Sequence, residues 1–475
     1  MLFRKKLPLD IQGALRCDEY SALILLREDF EIAGKELFLV GGIVRDLLLD
    51  RPNHDVDLAT NATPDEMLEI ASKSIHFHVI ETGKKHGTLT FYQPTFGASF
   101  EVTTYREDSD YSDHRHPNTV KFATSLEDDL KRRDLTINSF AYDMETDEVI
   151  AIDESYFSDL DLKIIRCVGD PRERFGEDAL RMLRAIRFAA QLGFTLDLNT
   201  YNAIIDLAPT LVYISMERIR DELTKIILSN HLEAFDFIRV TKLCDYLGSN
   251  RLPLQELLNS RQINKYHYTD VFHHTLDVMK YCPSDFELRW AAFFHDFGKL
   301  DTETIDVEGY MHYKGHPDYS AEYVLKYADA FKFTNEQRDN IYKLVKYHDH
   351  ELKDIKMSHF KKLVNAIGID LFPKFLQLRY ADAMAHKLYI DNDFYVASVG
   401  KAKERFAKIL KDKDALTVQD LKINGYDLIK LGYKGKEIGD QLKALLEIVL
   451  ENPDANAHDY LVSVSSEVKK ASDIL

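Results

Sequence analysis

The sequence predicts an α+β chain with a head containing a small β-sheet, followed by an all-helical neck, a helical domain rich in histidine and aspartate, and a helical tail. Three observations carry this. An apolar run, Leu37-Phe38-Leu39-Val40, meets Gly41-Gly42 and opens into Ile43-Val44-Arg45-Asp46-Leu47-Leu48-Leu49, the pattern of a buried strand turning into a packed helix. Two further strand-like segments, Gly83 to Phe91 and Ser99 to Tyr105, read as a pair, and the neck after them carries helical patterns. Beyond about Gly248 to Asn264 the chain changes character again, with histidines and aspartates set among helical patterns.

The 475 residues are 45% hydrophobic, enough for several packed cores. No stretch approaches the roughly 18 uninterrupted apolar residues of a membrane span, and the opening MLFRKKLPLD has no apolar signal core. The expectation is a soluble cytoplasmic protein with no membrane partner. Cys17, Cys167, Cys244 and Cys282 lack metal spacing and read as free thiols in a reducing compartment. The net charge of −18, taken alone, argues against a nucleic-acid partner. It is a sum over the whole chain, however, and a polyanion responds to the local field in a cleft.

Taken in order, Cys17 to Ala33 has a helical pattern, and the strand–Gly-Gly–helix unit follows it. Two glycines permit close backbone approach to a phosphate, with Arg45 as a fixed positive charge. In His54-Asp55-Val56-Asp57-Leu58, strand alternation turns Asp55 and Asp57 to one side and Val56 to the core. Two such carboxylates suit Mg²⁺ with open positions for water and phosphate. Alone, a glycine pair or a D-x-D is more often a turn or a solvated edge. Thr63 then caps a helix beginning at Pro64. Gly83 to Phe91 and Ser99 to Tyr105 read as paired strands, with Glu101 turned away from Val102 and available as a third carboxylate. Arg106 to Lys121 has no period and reads as a mobile loop.

The basic run Lys131-Arg132-Arg133 would ordinarily be a solvated patch, but here it follows a carboxylate cluster and a loop. In the neck, Gly176 to Phe188 reads as one helix that sets Asp178 and Arg181 at i and i+3 on one face, with Arg184 and Arg187 on the next turns. A surface salt bridge is the bland reading. Cytosine and adenine, however, share an exocyclic amino donor beside a ring-nitrogen acceptor, whereas uracil and guanine present the reverse. A carboxylate and a guanidinium together would therefore accept the first pair and refuse the second.

The GG-x-x-RD … D-x-D arrangement resembles the nucleotidyltransferases of the polymerase β superfamily. Within it, Tyr111, Asp113, Arg115, His116 and Pro117 follow the flexible-loop pattern of class II tRNA nucleotidyltransferases, the CCA-adding enzymes, and Asp129 to Asn138 matches their D-L-x-R-R-D-x-T-I-N motif. Glu177, Asp178 and Arg181 match their E-D-x-x-R template, and Ile214 to Leu223 matches a second neck element that would buttress it. The resemblance spans about Leu37 to Leu228. It implies catalytic Asp55, Asp57 and Glu101 with Mg²⁺ on the two aspartates, and nucleotide binding by Gly42, Arg45, Arg133, Asp178, Arg181, Arg184 and Arg187. It also implies tRNA, CTP and ATP as partners. Gly83-Lys84-Lys85-His86-Gly87 has the CCA-type form rather than that of bacterial poly(A) polymerases. Full CCA addition comes first, with A-addition alone, poly(A) synthesis or a non-catalytic RNA-binding role as alternatives.

Isolated histidines on helices usually pack. Here, Phe294-His295-Asp296-Phe297-Gly298-Lys299 resembles the HD phosphohydrolase domain. That resemblance implies His274 (or its neighbour His273), His295, Asp296 and Asp382 as ligands, His316 and His348 as further ligands of two-metal members, and Ni²⁺, Mn²⁺, Co²⁺ or Fe²⁺ as the metal. It leaves open an active phosphohydrolase, or a hydrolase whose head serves only to bind RNA. Glycines and lysines from Leu421 to Gly439 suggest RNA phosphate contact or plain helix packing, and similar tails in the family bind the tRNA elbow. The expected divisions are a head at 17–145, a neck at 146–250, an HD domain at 265–390 and a tail at 400–475.

Overall fold

The structure is a computed structural model describing residues 2–472 except 54, 109–119, 124, 248–250, 264–268 and 387–391. Two compact units, Met1–Leu252 and Pro253–Leu475, divide the chain.

The first unit is built on an eight-stranded sheet. Its strands are β1 (Phe3–Lys6), β2 (Phe38–Val40), β3 (Asp57–Thr60), β4 (His78–Ile80), β5 (Thr88–Gln93) and β6 (Ala98–Thr104), then β9 (Phe140–Asp143) and β10 (Glu148–Ala151). Two further strands, β7 (Arg106–Asp108) and β8 (Val120–Phe122), pair with each other. The sheet order is β1-β10-β9-β2-β3-β6-β5-β4, antiparallel except where β3 lies parallel to β6. That exception matters for the site, because its register sets Asp57 opposite Glu101.

The first strand lies ahead of residue 17, and the sheet is wider than the small one expected. The segment 84–86, expected as strand, is a 3₁₀ turn closed by Gly87 at φ +82°. The expected loop from Arg106 to Lys121 begins and ends in paired strand; Tyr111, Asp113, Arg115, His116 and Pro117 lie outside the described residues.

Helix Cys17–Ile32 buries Ala22, Leu23, Leu26 and Phe30 along one stripe, and Phe30 meets Phe91 of β5 edge-on at 5.6 Å. Helix Pro64–Lys73 begins as expected. Thr63 accepts from the Glu66 N–H, and the Glu66 carboxylate accepts from the Thr63 N–H. Thr63→Ala should therefore lower stability by about 1 kcal/mol, read as a lower denaturant midpoint at unchanged slope. An unmoved midpoint would mean the cap contributes nothing.

The neck, expected as all-helical with one helix over Gly176 to Phe188, differs at two places. Helix Pro171–Glu177 stops before Asp178, which is extended at φ −141° and ψ 106°, and a second helix, Leu180–Leu192, begins after it. Asp178 thus sits at a break between two helices, not within one. Leu180–Leu192 is buried on most sides, and helix Met216–Ile227 packs along it. The neck also holds a two-stranded parallel sheet, β11 (Ile164–Ile165) with β12 (Thr195–Leu196).

Among the described residues the second unit is helical apart from a hairpin, β13 (Thr304–Ile305) with β14 (Met311–His312), and an isolated bridge between Arg261 and Asp270. Trp290 on helix Phe286–Phe294 packs among Phe293, Phe294, Phe331 and Phe333, with ring centroids 5.2 to 5.6 Å apart. In the tail, the Tyr433 hydroxyl donates to the Ser465 carbonyl at 2.8 Å, tying the turn before helix Lys436–Glu451 to helix His458–Ser472. No helix among the described residues is long and apolar enough to cross a membrane. All four cysteines are free, and only Cys17 is exposed.

Candidate active site and a second ligand cluster

A cavity of about 730 Å³ opens in the first unit, lined by Asp55, Asp57 and Glu101 and walled by arginines. Among the described residues it carries eight arginines against six carboxylates, so the cleft is locally positive in a chain of net charge −18. Strand β3 starts at Asp57, and Asp55 lies just ahead of it with its N–H held by the Asn53 side chain at 2.8 Å. Buried Val56 separates the two carboxylates, which both line the cavity although only Asp57 belongs to the strand expected to carry the pair. Glu101 is the neighbour of Asp57 across the parallel pair.

The Asp57 carboxyl is exposed to the cavity, with protein packed close around the rest of it. Burial, reinforced by Asp55, pushes its pKa up to about 6. Three crowded all-oxygen donors held against their own repulsion fit a hard divalent cation. A consequence follows for the metal-free protein. The unfolded value is near 3.8, so the folded chain holds the proton more tightly and loses stability as pH rises from about 4 to about 6. Asp57→Asn should accordingly melt higher than wild type at pH 7.5 in chelator, with the gap closing toward pH 4. Equal melting points at pH 7.5 would contradict this.

At the strand–helix turn the backbone requires glycine at Gly41, next to the expected contact Gly42. Gly41 sits at φ +76°, and a Cβ there would lie 2.8 Å from Arg133 Nη1. Arg45, expected as a nucleotide contact, is at the cavity wall but committed: it donates twice to Asp46, at 2.9 and 2.8 Å, and once to the Asn138 side chain at 2.6 Å. Arg133 is held by buried Asp129 at 3.0 Å and by the Asn138 carbonyl at 3.3 Å. Arg184 donates to Asp134 at 2.6 Å. Burial alone would raise the Asp134 carboxyl, but Arg184 and Arg181 hold it well below the usual carboxylate range. Arg187 lies 4.1 Å over the Phe188 ring and 3.1 Å from Glu222.

Asp178 and Arg181, expected together on one face of a single helix, are held by different partners. Asp178 accepts from the Leu180 N–H at 3.0 Å and from Arg218 at 2.8 Å, while Arg181 pairs with Glu177. Both still line the one cavity. The side chains missed in the sequence are Arg218, Asn138 and Glu222, whose roles depend on long-range pairing, and Asn53, which bonds Asp46 and the Asp55 N–H from the turn between them.

The second unit gathers the other expected ligands. His274, His295 and Asp382 form one cluster and Asp296, His316 and His348 another, all buried. Asp296 joins them: Oδ2 lies 3.2 Å from His295 and 3.5 Å from His274, and Oδ1 lies 3.2 Å from His316 and 3.7 Å from His348. The choice at 273/274 falls to His274, since His273 is turned outward and bonded to Asp270 at 2.8 Å. His295, His316 and His348 each aim Nδ1 at a backbone carbonyl, of Ala292, Tyr313 and Val345 at 2.7, 2.9 and 2.7 Å. This tautomer presents Nε2 lone pairs inward, the outer hydrogen bonding typical of metal-ligating imidazoles. His316 and His348 point Nε2 at each other at 3.1 Å, which suits a shared cation or proton. Lys299, not assigned from the sequence, donates to Asp296 Oδ2 and to Gln262, both at 2.6 Å.

Sheet, carboxylate cluster and arginine-walled cleft define a nucleotidyltransferase of the polymerase β type with an appended HD-type helical unit. Residues 37–166 match the family model of the poly A polymerase head domain, 193–248 that of the probable RNA and SrmB-binding site of polymerase A, and 271–418 that of the HD domain. The CCA-adding enzyme of Leuconostoc mesenteroides subsp. mesenteroides is 32% identical over 449 residues, 92% of this chain and 94% of that protein. That of Ligilactobacillus salivarius is 42% identical over 245 residues, and the match spans 51% of this chain and 58% of the relative. A crystal structure of the Bacillus stearothermophilus CCA-adding enzyme in complex with CTP superposes with a TM-score of 0.70 at 25% identity, covering 96% of this chain and 99% of that one. The chain belongs to the family of CCA-adding enzymes.

Proposed function

We propose that this chain adds the 3′-terminal CCA of tRNA from CTP and ATP, releasing pyrophosphate. The observation that carries the reading is the single cavity that joins Asp55, Asp57 and Glu101 to Asp178 and Arg181 through a wall of arginines. Family membership supports it, as does the CTP complex of the Bacillus relative.

Asp55 and Asp57, with Glu101 beside them, would hold Mg²⁺. Bound there, the ion neutralises triphosphate charge and lowers the pKa of the attacking 3′-hydroxyl. Arg133 and Arg184, each fixed by a buried carboxylate, present guanidiniums to the triphosphate with little ordering left to do. Arg45 and Arg187 act from the wall, through Asn138 and Phe188, more than by direct contact. Gly41 and Gly42 let the backbone approach. Asp178 accepts from the exocyclic amino group of cytosine or adenine, and Arg181 donates to the adjacent ring nitrogen. Such a substrate sets the protein in the cytoplasm. The head, which reaches beyond the expected 17–145 at both ends through β1 and β10, is followed by the neck to about 250, the HD domain at 265–390 and the tail at 400–475, which would touch tRNA.

Labelled CTP offered with tRNA lacking its 3′ end is the test. Incorporation is expected, whereas a head that only binds RNA would give none.

A second reading of the other unit rests on Asp296 bridging two ligand clusters. His274, His295 and Asp382 on one side, with His316 and His348 on the other, would hold two ions of the Mn²⁺, Fe²⁺, Co²⁺ or Ni²⁺ class. They would act as a phosphohydrolase on a 2′-phosphate or 2′,3′-cyclic phosphate at an RNA end. His295→Ala with Asp296→Ala should abolish binding of such an ion in calorimetry and leave CTP incorporation unchanged. Undiminished metal binding would sink the ligand assignment.

A further inference from the structure

The break at Asp178 raises a question that the family resemblance does not answer: what aims this carboxylate. Its backbone is extended, so no helical turn orients the side chain. Two bonds do so instead. The Leu180 N–H takes Oδ1 at 3.0 Å, and Arg218, forty residues on, takes Oδ2 at 2.8 Å from helix Met216–Ile227. One donor on each oxygen fixes the plane of the carboxylate and leaves the remaining lone pairs toward the cavity that both residues line.

Arg218 is not satisfied as a purely structural bridge would be. Its Nη1 is buried with no hydrogen-bond partner, although burying an unpaired donor is costly. One turn further along the same helix, Glu222 stands 3.1 Å from Arg187. The helix thus presents a cation to the acidic selector and an anion to a basic wall residue, at i and i+4 on one face.

We propose that Arg218 is a specificity-determining positioning residue: it sets the direction of the Asp178 carboxylate and thereby the preference for bases that offer an amino donor. The proposal rests on the template reading of Asp178 given above. Uracil turns a carbonyl toward the same carboxylate and is refused only while the carboxylate is held in place. Without Arg218 the side chain gains freedom to swing aside, and a carbonyl meets less repulsion.

The experiment measures kcat/KM for CTP and UTP, each at the first position of tRNA lacking CCA, for wild type, Arg218→Ala, Arg218→Lys, Asp178→Ala and the double variant Asp178→Ala with Arg218→Ala. Arg218→Ala should raise the UTP-to-CTP ratio by about tenfold, corresponding to loss of one oriented hydrogen bond. Arg218→Lys, which keeps charge and donor but not the planar fork, should restore part of the selectivity. In the Asp178→Ala background, removal of Arg218 should change the ratio no further, because the residue acts through that carboxylate. Arg220→Ala, two positions on and paired with surface Asp221, should leave the ratio as in wild type.

A role confined to holding the fold would lower both nucleotides together. Unchanged selectivity in a folded Arg218→Ala, or an effect that adds to that of Asp178→Ala, overturns the proposal. Should Arg218→Ala fail to fold, Arg218→Lys decides alone: an altered ratio supports the proposal, and a wild-type ratio overturns it. Absence of CTP addition by the wild type would instead overturn the template reading beneath it.

Discussion

Asp57→Ala should lose CTP incorporation by about 10³-fold or more while tRNA binding stays within about twofold of wild type, as measured by single-turnover addition and filter binding. Asp57 combines three features no other carboxylate of the cavity shares. It opens strand β3, it is paired in register with Glu101, and its proton affinity is raised by burial and by Asp55. A carboxylate kept at such electrostatic cost makes sense if a cation relieves it. RNA affinity comes from contacts to phosphate, which this substitution does not touch. The stability gain expected of Asp57→Asn and the activity loss expected here are two sides of one arrangement, a site held in a state that is unfavourable until it is loaded. Near-normal turnover in Asp57→Ala would remove the carboxylate cluster from the reaction.

Asp178→Ala should damage selection as well as rate. The UTP-to-CTP ratio of kcat/KM should rise roughly 10- to 100-fold, since a site built to hydrogen-bond a substrate group rejects the analogue lacking it far more strongly than a merely apolar pocket does. Glu177→Ala is the informative companion, because Glu177 pairs with Arg181 as Arg218 pairs with Asp178. Loss of rate without loss of selection in Asp178→Ala would mean that the base is read elsewhere.

Much of this site was legible in the sequence, because the chemistry sits on short local patterns. Strand–Gly-Gly–helix, D-x-D and the alternation at Glu101 are statements about neighbours one to four positions apart, where strand and helix periods govern. The parallel register that sets Asp57 opposite Glu101 joins strands distant in the chain, and no local period encodes it. Arg45 was harder. Neighbours at i and i+1 on a helix do not normally face each other, yet Arg45 forks onto Asp46, and Asn138, 93 residues away, completes its shell. The break at Asp178 was hidden because helical periodicity runs through Gly176 to Phe188. The partner that holds the broken end, Arg218, is on another helix.

In the second unit the ambiguity between His273 and His274 is resolved by a cap. Asp270 opens helix Val271–Tyr281 and bonds His273, which turns that ring outward and leaves the next residue facing the core. Helix periodicity from the apolar positions alone did not decide between adjacent histidines. The bridging role of Asp296 depends on four helices meeting, and no local spacing encodes it.

The central claim is that one carboxylate cluster and one protein-built template write a defined trinucleotide. The direct measurement is to incubate the protein with Mg²⁺ and all four nucleotides on tRNA ending at the discriminator base, after the first C, and after the second C, and then to sequence the product 3′ ends. The account predicts that all three substrates converge on CCA, with negligible U or G. Addition only to the CC-ended substrate, runs of A, or no extension of any of the three would contradict it.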